Sequence, residues 1–382
     1  MTDALHQKYV PILRFARAER FYPMAVDDFV RYCTLCARGE AAPLVTQGRV
    51  TPELLARTHR QQANVYLQSV PASLAAQDVA LRWGGDVLDT LVDLTLTTRN
   101  WQLEMAKVAY RWLSPKTQDA TRLFWWNDLV MHLVGGGRRT SKDLPRLDLS
   151  PEIGQAAMEN YQASQPARPN YAYYYRTTRD RQYLGLQYWF FYAYNDWATS
   201  YRGMNDHEGD WEGVYLFFEL DEVGAPKEPP AYVTYVGHHS RLTKPWGHHD
   251  VTLEGTHPVC YVAGGSHATY PECKEYDLMR IYDLADYATG DGVTIGPGDW
   301  ARAMDLDRQP WTEAFLGGWG TRYWLPLSWA KQSLRVLQTR LDEIGLPGVS
   351  APRGPRYADD GNVRPNWISA VSWAGILDLE QG

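Results

Sequence analysis

The residue types best suited to metal or proton chemistry lie close together in the run Asn205–Glu212. If a strand begins near Asp210, the two-residue period of a strand places Asp210 and Glu212 on one face and Trp211 on the other. The glycine before this strand permits a sharp turn that returns His207 over the same face. One imidazole and two carboxylates then converge, and these are ligands that proteins offer to a divalent cation.

Neighbouring strand ends supply further candidates. Apolar runs bounded by glycine, proline and aspartate predict four strands, at 183–194, 210–220, 231–236 and 258–263. If the first two form a hairpin, Asp196 lies at the same sheet edge as the run above. The third strand would return there and deliver His238 and His239. A simple meander would put His257 at this edge and His267 at the opposite one, whereas a crossover to another sheet reverses the two, so the position of His267 stays open.

These positions predict a metal site with one imidazole and three carboxylates as ligands: Asp196, His207, Asp210 and Glu212. Carboxylate-rich sites favour Mg²⁺, Ca²⁺ or Mn²⁺. Zn²⁺ stays an alternative, because seven of the ten histidines lie between positions 207 and 267 and zinc prefers nitrogen ligands. The competing interpretation is a set of surface charges and turn residues, but ligand-type residues coincide here with several strand ends.

Two classes of function would use such a site on a small-molecule, glycan or lipid-headgroup ligand. The first hypothesis is a metal-dependent enzyme of the hydrolase, lyase or cyclase type, whose cation polarises a phosphate, carbonyl or glycosidic oxygen in an aromatic-lined pocket. Its general acid or base would be His239 or His267, or Glu208, which strand parity leaves near the mouth. The alternative is a lectin-like or lipid-headgroup-binding module without catalysis, whose cation bridges ligand oxygens. A buried site favours the enzyme, and a shallow one favours binding.

The elements that must position these residues predict an α+β fold, with an antiparallel β-sandwich core, a large helical insertion and a C-terminal helix. We expect the core domain to comprise residues 1–40 and 165–382, with a helical insertion at 41–164 packed on it. Helix starts are expected at Thr51-Pro52-Glu53 and Ser150-Pro151-Glu152, where a capping residue precedes proline. The further elements expected are a strand at 10–15, a helix at 25–38, an apolar helical stripe through Val65 and Leu67, and a late helix at 328–344.

Composition excludes several classes of protein. The 382 residues are 45% hydrophobic and 22% charged, which is typical of a globular protein. The net charge of −7 lacks the basic excess of a nucleic-acid-binding protein. The sequence shows no apolar run long enough for a membrane span and no signal-peptide pattern at its start, which predicts a cytoplasmic protein. Four cysteines make no disulfide framework. Cys33 and Cys36 are interpreted as small core residues on a helix, and Cys260 and Cys273 as free core thiols.

Two motifs of the sequence resemble those of the vacuolar protein sorting sixty-two type family. The motifs are His207–Glu212, preceded by Leu186–Tyr192, and His257–Pro271. Flanking segments also fit, so that the resemblance covers about 1–30 and 170–375. That family is largely uncharacterised biochemically, so the resemblance implies a fold more than an activity.

A more distant similarity is to the necrosis- and ethylene-inducing peptide-like proteins. These are β-sandwich cytolysins that bind a divalent metal and a plant sphingolipid headgroup. Their metal motif has His, Asp and Glu at the spacing of His207, Asp210 and Glu212, with an upstream Asp comparable to Asp196. Those proteins are secreted and lack a helical block like residues 50–165, so the similarity implies the metal site rather than the toxin activity.

Overall fold

Strands dominate the structure after residue 170, whereas short helices and strands alternate before it. The computed structural model describes residues 2–37, 40–57, 64–70, 151–166, 169–196, 206–237, 240–279, 284–321, 351–358 and 361–380. The predicted helix at 328–344, His238, His239 and most of the predicted insertion lie outside these residues.

The described elements are named in chain order. The strands are β1 (Ile12–Phe15), β2 (Thr34–Ala37), β3 (Val65–Gln68), β4 (Ala172–Asp180), β5 (Tyr183–Asn195), β6 (His207–Glu219), β7 (Tyr232–Gly237), β8 (Ser240–Pro245), β9 (Leu253–Glu254), β10 (His257–Val262), β11 (Thr269–Tyr270), β12 (Lys274–Met279), β13 (Leu284–Ala288), β14 (Thr294–Ile295) and β15 (Arg302–Asp305). The helices are α1 (Thr2–Lys8), α2 (Val26–Val30), α3 (Pro52–Arg57), α4 (Pro151–Ser164), α5 (Pro310–Ala314), α6 (Pro365–Ile368), α7 (Ala370–Trp373) and α8 (Ile376–Leu379), with a 3-10 turn at Leu306–Arg308.

A six-stranded sheet in the order β15-β4-β5-β6-β7-β8 forms the centre of the fold. All its pairs are antiparallel except β15 with β4. Every one of the 13 residues of β5 is buried, because other layers cover both faces of this strand. The four strands that the sequence predicts in this half of the chain are therefore confirmed, three of them in this sheet.

A second sheet packs on one face of the first and makes the fold a β-sandwich. In it β1 runs parallel to β10, while β9, β11 and β14 pair antiparallel at its margins. Side chains such as Phe15 and Val262 from this sheet meet Tyr188 and Leu216 from the central one in a shared apolar core. Burying each large apolar side chain of this kind contributes about 1.5–3 kcal/mol. The predicted α+β fold with a β-sandwich core is confirmed.

A third layer, made of helices, loops and the β2–β3 pair, covers the opposite face of the central sheet. Its core is rich in tryptophan, with Trp211, Trp311 and Trp319 in mutual contact. Helix α3 starts as expected, since the Thr51 hydroxyl accepts a hydrogen bond from the Leu54 amide at 3.2 Å. Most of the described aromatic side chains thus fill core rather than a pocket. The domain division at 41–164 stays a prediction, because residues 71–150 are not described.

Several local expectations are wrong. The helix expected at 25–38 ends at Val30, and Thr34–Ala37 pairs with β3 as a strand. Val65 and Leu67 lie on β3, not on a helix, since cross-strand pairing overrides their helical spacing. Cys33 is buried as expected, but Cys273 is exposed. Within the described residues no helix is both long and apolar enough to cross a membrane.

Candidate functional site

The candidate site lies at one edge of the sandwich, where β5 ends and β6 begins. The pairing of Asn195 with His207 places these two strand ends side by side, as the predicted hairpin requires. The crossover into the second sheet brings His267, in the loop after β10, to this edge. His257 lies at the other end of β10, where its Nδ1 is 2.8 Å from the Val10 carbonyl oxygen. The alternative that the sequence left open is thereby resolved in favour of the crossover.

Asp210 is the centre of this edge. Its Oδ1 accepts a hydrogen bond from its neighbour's backbone N–H, at Trp211, at 3.0 Å and lies 3.8 Å from Nε2 of His207. Its Oδ2 accepts from Nδ2 of Asn195 at 3.1 Å and lies 3.0 Å from Nδ1 of His267. Burial opposes ionisation, but the close contacts and charges of His207 and His267 outweigh it and hold the pKa of Asp210 below its usual range. The carboxylate is therefore ionised at neutral pH.

His267 is an internal cation. Its side chain has 0% exposure, and its ring stacks on Tyr192 at 3.8 Å with an interplanar angle of 3°. Its Nε2 lies 3.5 Å from Oε1 of Glu19, so carboxylates face both ring nitrogens. Burial lowers its pKa, but Glu19 and then Asp210 raise it more, to about 9. A general acid or base must contact its substrate, and this buried position does not suit the proton transfer predicted for His267.

The segment after β1 completes the edge. Glu19 accepts hydrogen bonds from the backbone N–H groups of Arg20, Phe21 and Gly265, each at 2.8 Å. The guanidinium of Arg20 binds Oδ2 of Asp196, with Nε at 3.0 Å. Asp196 lies where the sequence placed it, but its ionic partner is an arginine. Sequence reasoning did not place Glu19 and Arg20 at the site, although both lie in the segment 1–30 that the family resemblance covers.

Glu212 shares the face of Asp210, and Trp211 points to the opposite face, as strand parity predicts. The Glu212 side chain is buried, and its Oε2 has no hydrogen-bond partner among the described residues. Burial, and then the charges of Asp210 and Asp286, raise the pKa of Glu212 well above its usual value. Asp286, in contrast, accepts short hydrogen bonds from two hydroxyl groups, Ser266 Oγ at 2.7 Å and Tyr270 Oη at 2.6 Å.

Glu208 does not lie beside Asp210, which corrects the position expected from parity. Gly209 has a φ of +63°, a left-handed conformation that breaks the alternation of β6. The carboxylate of Glu208 therefore turns to the tryptophan-rich layer. There Oε1 accepts from the N–H and hydroxyl of Ser69 and the N–H of Val70, and Oε2 accepts from the N–H and hydroxyl of Thr321, at 2.6–2.9 Å. The geometry makes Glu208 an anchor for these segments.

The fit of this edge to a metal ion is partial. His207, Asp210 and Glu212 supply the donor types that suit a divalent cation, and one Glu212 oxygen is without a hydrogen-bond partner among the described residues. Asp196 already binds Arg20. Within the described part of the chain, the ligand atoms of three such residues all lie within 4.8 Å of one another in one group alone, at positions 248–250. The four predicted ligands thus share an edge without forming a closed coordination shell.

Comparisons with known proteins give partial structural matches. No protein-family model matches the chain, and no curated protein matches it. The structure of necrosis and ethylene inducing protein 2, from the causal agent of cocoa's witches' broom disease, is 16% identical with a TM-score of 0.24, over 36% of this chain and 52% of that one. The non-toxic HaNLP3 protein is 14% identical with a TM-score of 0.20, over 36% and 49%. NLPPya in complex with glucosamine is 12% identical with a TM-score of 0.20, over 26% and 43%. The chain spans about half the length of these structures or less.

Proposed function

We propose that the chain is a binding module that holds a divalent cation at the sandwich edge and, through it, a polar ligand of the glycan or lipid-headgroup class. Glu212 carries the proposal. It is a buried carboxyl group beside the ionised Asp210, and one of its oxygens lacks a hydrogen-bond partner among the described residues. A buried carboxyl in such surroundings is costly unless a proton or a cation neutralises it.

The charges around Asp210 and Glu212 support a cation at this place. His267 is wedged between Glu19 and Asp210, and Arg20 is bound to Asp196. These two cations thus pair with Glu19, Asp210 and Asp196, whereas Glu212 has no ion pair among the described residues and only the more distant charge of Arg364 offsets its acidic neighbours. His207, Asp210 and Glu212 would be the protein ligands, and hard oxygen donors with one imidazole favour Mg²⁺, Ca²⁺ or Mn²⁺.

A binding role is favoured over catalysis by where the proton-transfer candidates lie. Glu208 is engaged by five hydrogen bonds on the other face of the sheet, and His267 is fully buried. A cation with open coordination positions can instead bridge the hydroxyl or phosphate oxygens of a ligand without moving a proton.

The test is a calorimetric titration of Mg²⁺, Ca²⁺ and Mn²⁺ into untagged, chelator-treated protein, with Asp210→Asn and Glu212→Gln alongside. We expect near-stoichiometric binding of one of these ions to the wild type and its loss in both variants. The matched control is Glu219→Gln, an exposed carboxylate at the far end of β6, which should bind like the wild type. A glycan array and phospholipid vesicles, each with and without EDTA, then test the ligand class. Absence of cation binding in the wild type would refute the proposal.

A metal-dependent enzyme of the hydrolase, lyase or cyclase type is the second candidate. The burial of Asp210 and Glu212 favours it, because enclosed carboxylates are typical of catalytic rather than recognition sites. His239, outside the described residues, would then be the proton-transfer group. Cation-dependent turnover of a phosphate ester or glycoside that Asp210→Asn abolishes would support this candidate over binding alone. Membership of the vacuolar protein sorting sixty-two type family is likewise a proposal, which rests on the two motifs given above.

A further inference from the structure

The turn between β8 and β9 gathers three ligand-type side chains that the proposed function does not use. The ligand atoms of His248, His249 and Asp250 all lie within 4.8 Å of one another. Nε2 of His249 is 2.9 Å from Oδ1 of Asp250, and Nδ1 of His248 is 3.5 Å from Oδ2 of the same carboxylate. The two imidazole rings stack with their centroids 4.2 Å apart. Two nitrogens and a carboxylate therefore already face one small region.

The backbone holds this turn in place. The His248 N–H donates to the Pro245 carbonyl, and the Val251 N–H donates to the His248 carbonyl, both at 2.9 Å. The Asp250 N–H donates to the lone pair of His248 Nδ1 at 3.2 Å, so a cation bound at this nitrogen would replace that hydrogen bond. Val251 then packs into the core between the sheets. The ligand atoms are thus positioned by the fold before any ion binds, which lowers the entropic cost of binding.

We propose that His248, His249 and Asp250 form a second metal site, which takes a borderline transition-metal ion such as Zn²⁺. Two imidazoles and one carboxylate are a donor set that Zn²⁺ favours, whereas Mg²⁺ and Ca²⁺ prefer oxygen ligands. Three protein ligands leave a coordination position open, and the His249 side chain is 86% exposed. The site therefore resembles an exchangeable zinc site that can take a fourth ligand from solution, rather than a closed structural one.

Lys244 tunes this site. Its Nζ binds Oδ2 of Asp250 at 2.6 Å, which orients the carboxylate and leaves Oδ1 facing His249. The same ammonium group repels a bound cation. Lys244→Met removes this repulsion and should strengthen Zn²⁺ binding. Because the site is close to solvent, which weakens electrostatic interactions, we expect a gain of about fivefold or more.

The turn is separate from the edge that holds Asp210. Strand β8 starts beside the end of β7, where Gly237 pairs with Ser240, and it ends at Pro245 at the opposite end of the sheet. The Zn²⁺ site therefore does not depend on the function proposed for the Asp210 edge, and variants at the two places separate the two proposals.

The experiment is a Zn²⁺ titration of untagged protein by calorimetry, with a parallel Mg²⁺ titration. We expect one Zn²⁺ per chain. His249→Ala should lower the affinity by about tenfold or more, since mutation of a residue that only hydrogen-bonds to a metal ligand already lowers affinity by that much. His249→Ala should keep the wild-type unfolding transition because its side chain is exposed. Asp210→Asn should bind this Zn²⁺ like the wild type, and Lys244→Met should bind it more tightly.

Two results would overturn the proposal. One is a wild type that binds no Zn²⁺ at millimolar concentration. The other is Zn²⁺ binding that survives in His249→Ala or disappears in Asp210→Asn, which would place the ion elsewhere. A Lys244→Met variant with weakened binding would overturn the role given to that ammonium group.

Discussion

The anchoring role of Glu208 makes a sharp prediction for Glu208→Gln, a change that keeps the shape of the side chain. One side-chain oxygen still accepts from Ser69 and Val70, but the other position becomes an amide NH₂ that faces the N–H and hydroxyl of Thr321. The hydroxyl can rotate to accept, whereas the backbone N–H cannot. One buried donor is left without an acceptor, which costs about 1–3 kcal/mol, and the remaining bonds lose their charge assistance. We expect the free energy of unfolding to fall by about 2–4 kcal/mol.

Urea denaturation monitored by tryptophan fluorescence measures this loss, with Glu219→Gln as the control. Glu219 is exposed and pairs with Lys227 at 3.3 Å, so its change should alter stability by less than about 0.5 kcal/mol. Cation binding at the Asp210 edge should be the same in Glu208→Gln as in the wild type. A stability loss below about 1 kcal/mol would refute the anchoring role of Glu208. A variant of wild-type stability that no longer binds the cation would also refute it, and would indicate that Glu208 belongs to the cation site.

Two further predictions concern the same edge. In Gly209→Ala the new methyl group would overlap the Trp319 carbonyl oxygen at a φ of +63°, so we expect a loss of about 3 kcal/mol or more in urea denaturation. Gly255→Ala, at a φ of +64° with no atom within 4 Å, should lose only about 1–2 kcal/mol, and equal losses would contradict the steric argument. Because the pKa of His267 is raised to about 9, its stabilising contribution is complete below about pH 6.5 and disappears as pH rises through 9. The free energy of unfolding of the wild type should therefore exceed that of His267→Asn by up to about 3 kcal/mol less at pH 10 than at pH 6. A difference independent of pH would show that His267 is not protonated in the folded protein.

The sequence predicts the parts of this fold that depend on local pattern. The aromatic runs of β5 and β6 give continuous buried strands, and parity then places Asp210 and Glu212 on one face. Parity fails for Glu208, because a single left-handed residue reverses the side on which the preceding side chain points. Residues 34–37 show why the secondary structure of short segments is hard to predict. Their apolar spacing fits both a helix and a strand, and pairing with β3 makes them a strand.

Contacts between distant segments could not be predicted from one sequence. Glu19 follows β1 and reaches His267 only because β1 pairs in parallel with β10, and nothing local specifies that pairing. The same pairing settles which end of β10 faces the site. Bonds between the two sheets hold this arrangement, since the Thr269 hydroxyl on β11 accepts from the Val236 N–H and shares its own proton between the Gly213 and Val236 carbonyl oxygens, each contact at 3.0 Å.

The carboxylates at this edge are of two kinds: those that the protein itself pairs or hydrogen-bonds, and those that a bound cation would neutralise. Glu19 and Asp196 accept hydrogen bonds or an ion pair from the protein itself, and their burial is thereby offset. Glu212 differs, because its charged form is penalised by burial and by its acidic neighbours. A divalent ion would therefore stabilise the folded chain most through Glu212, and less through Asp210 and Asp196, whose charges His267 and Arg20 already balance. The edge is therefore better described as a set of ion pairs around one buried carboxyl group, Glu212, that has no ion pair among the described residues, than as a ring of four equivalent ligands.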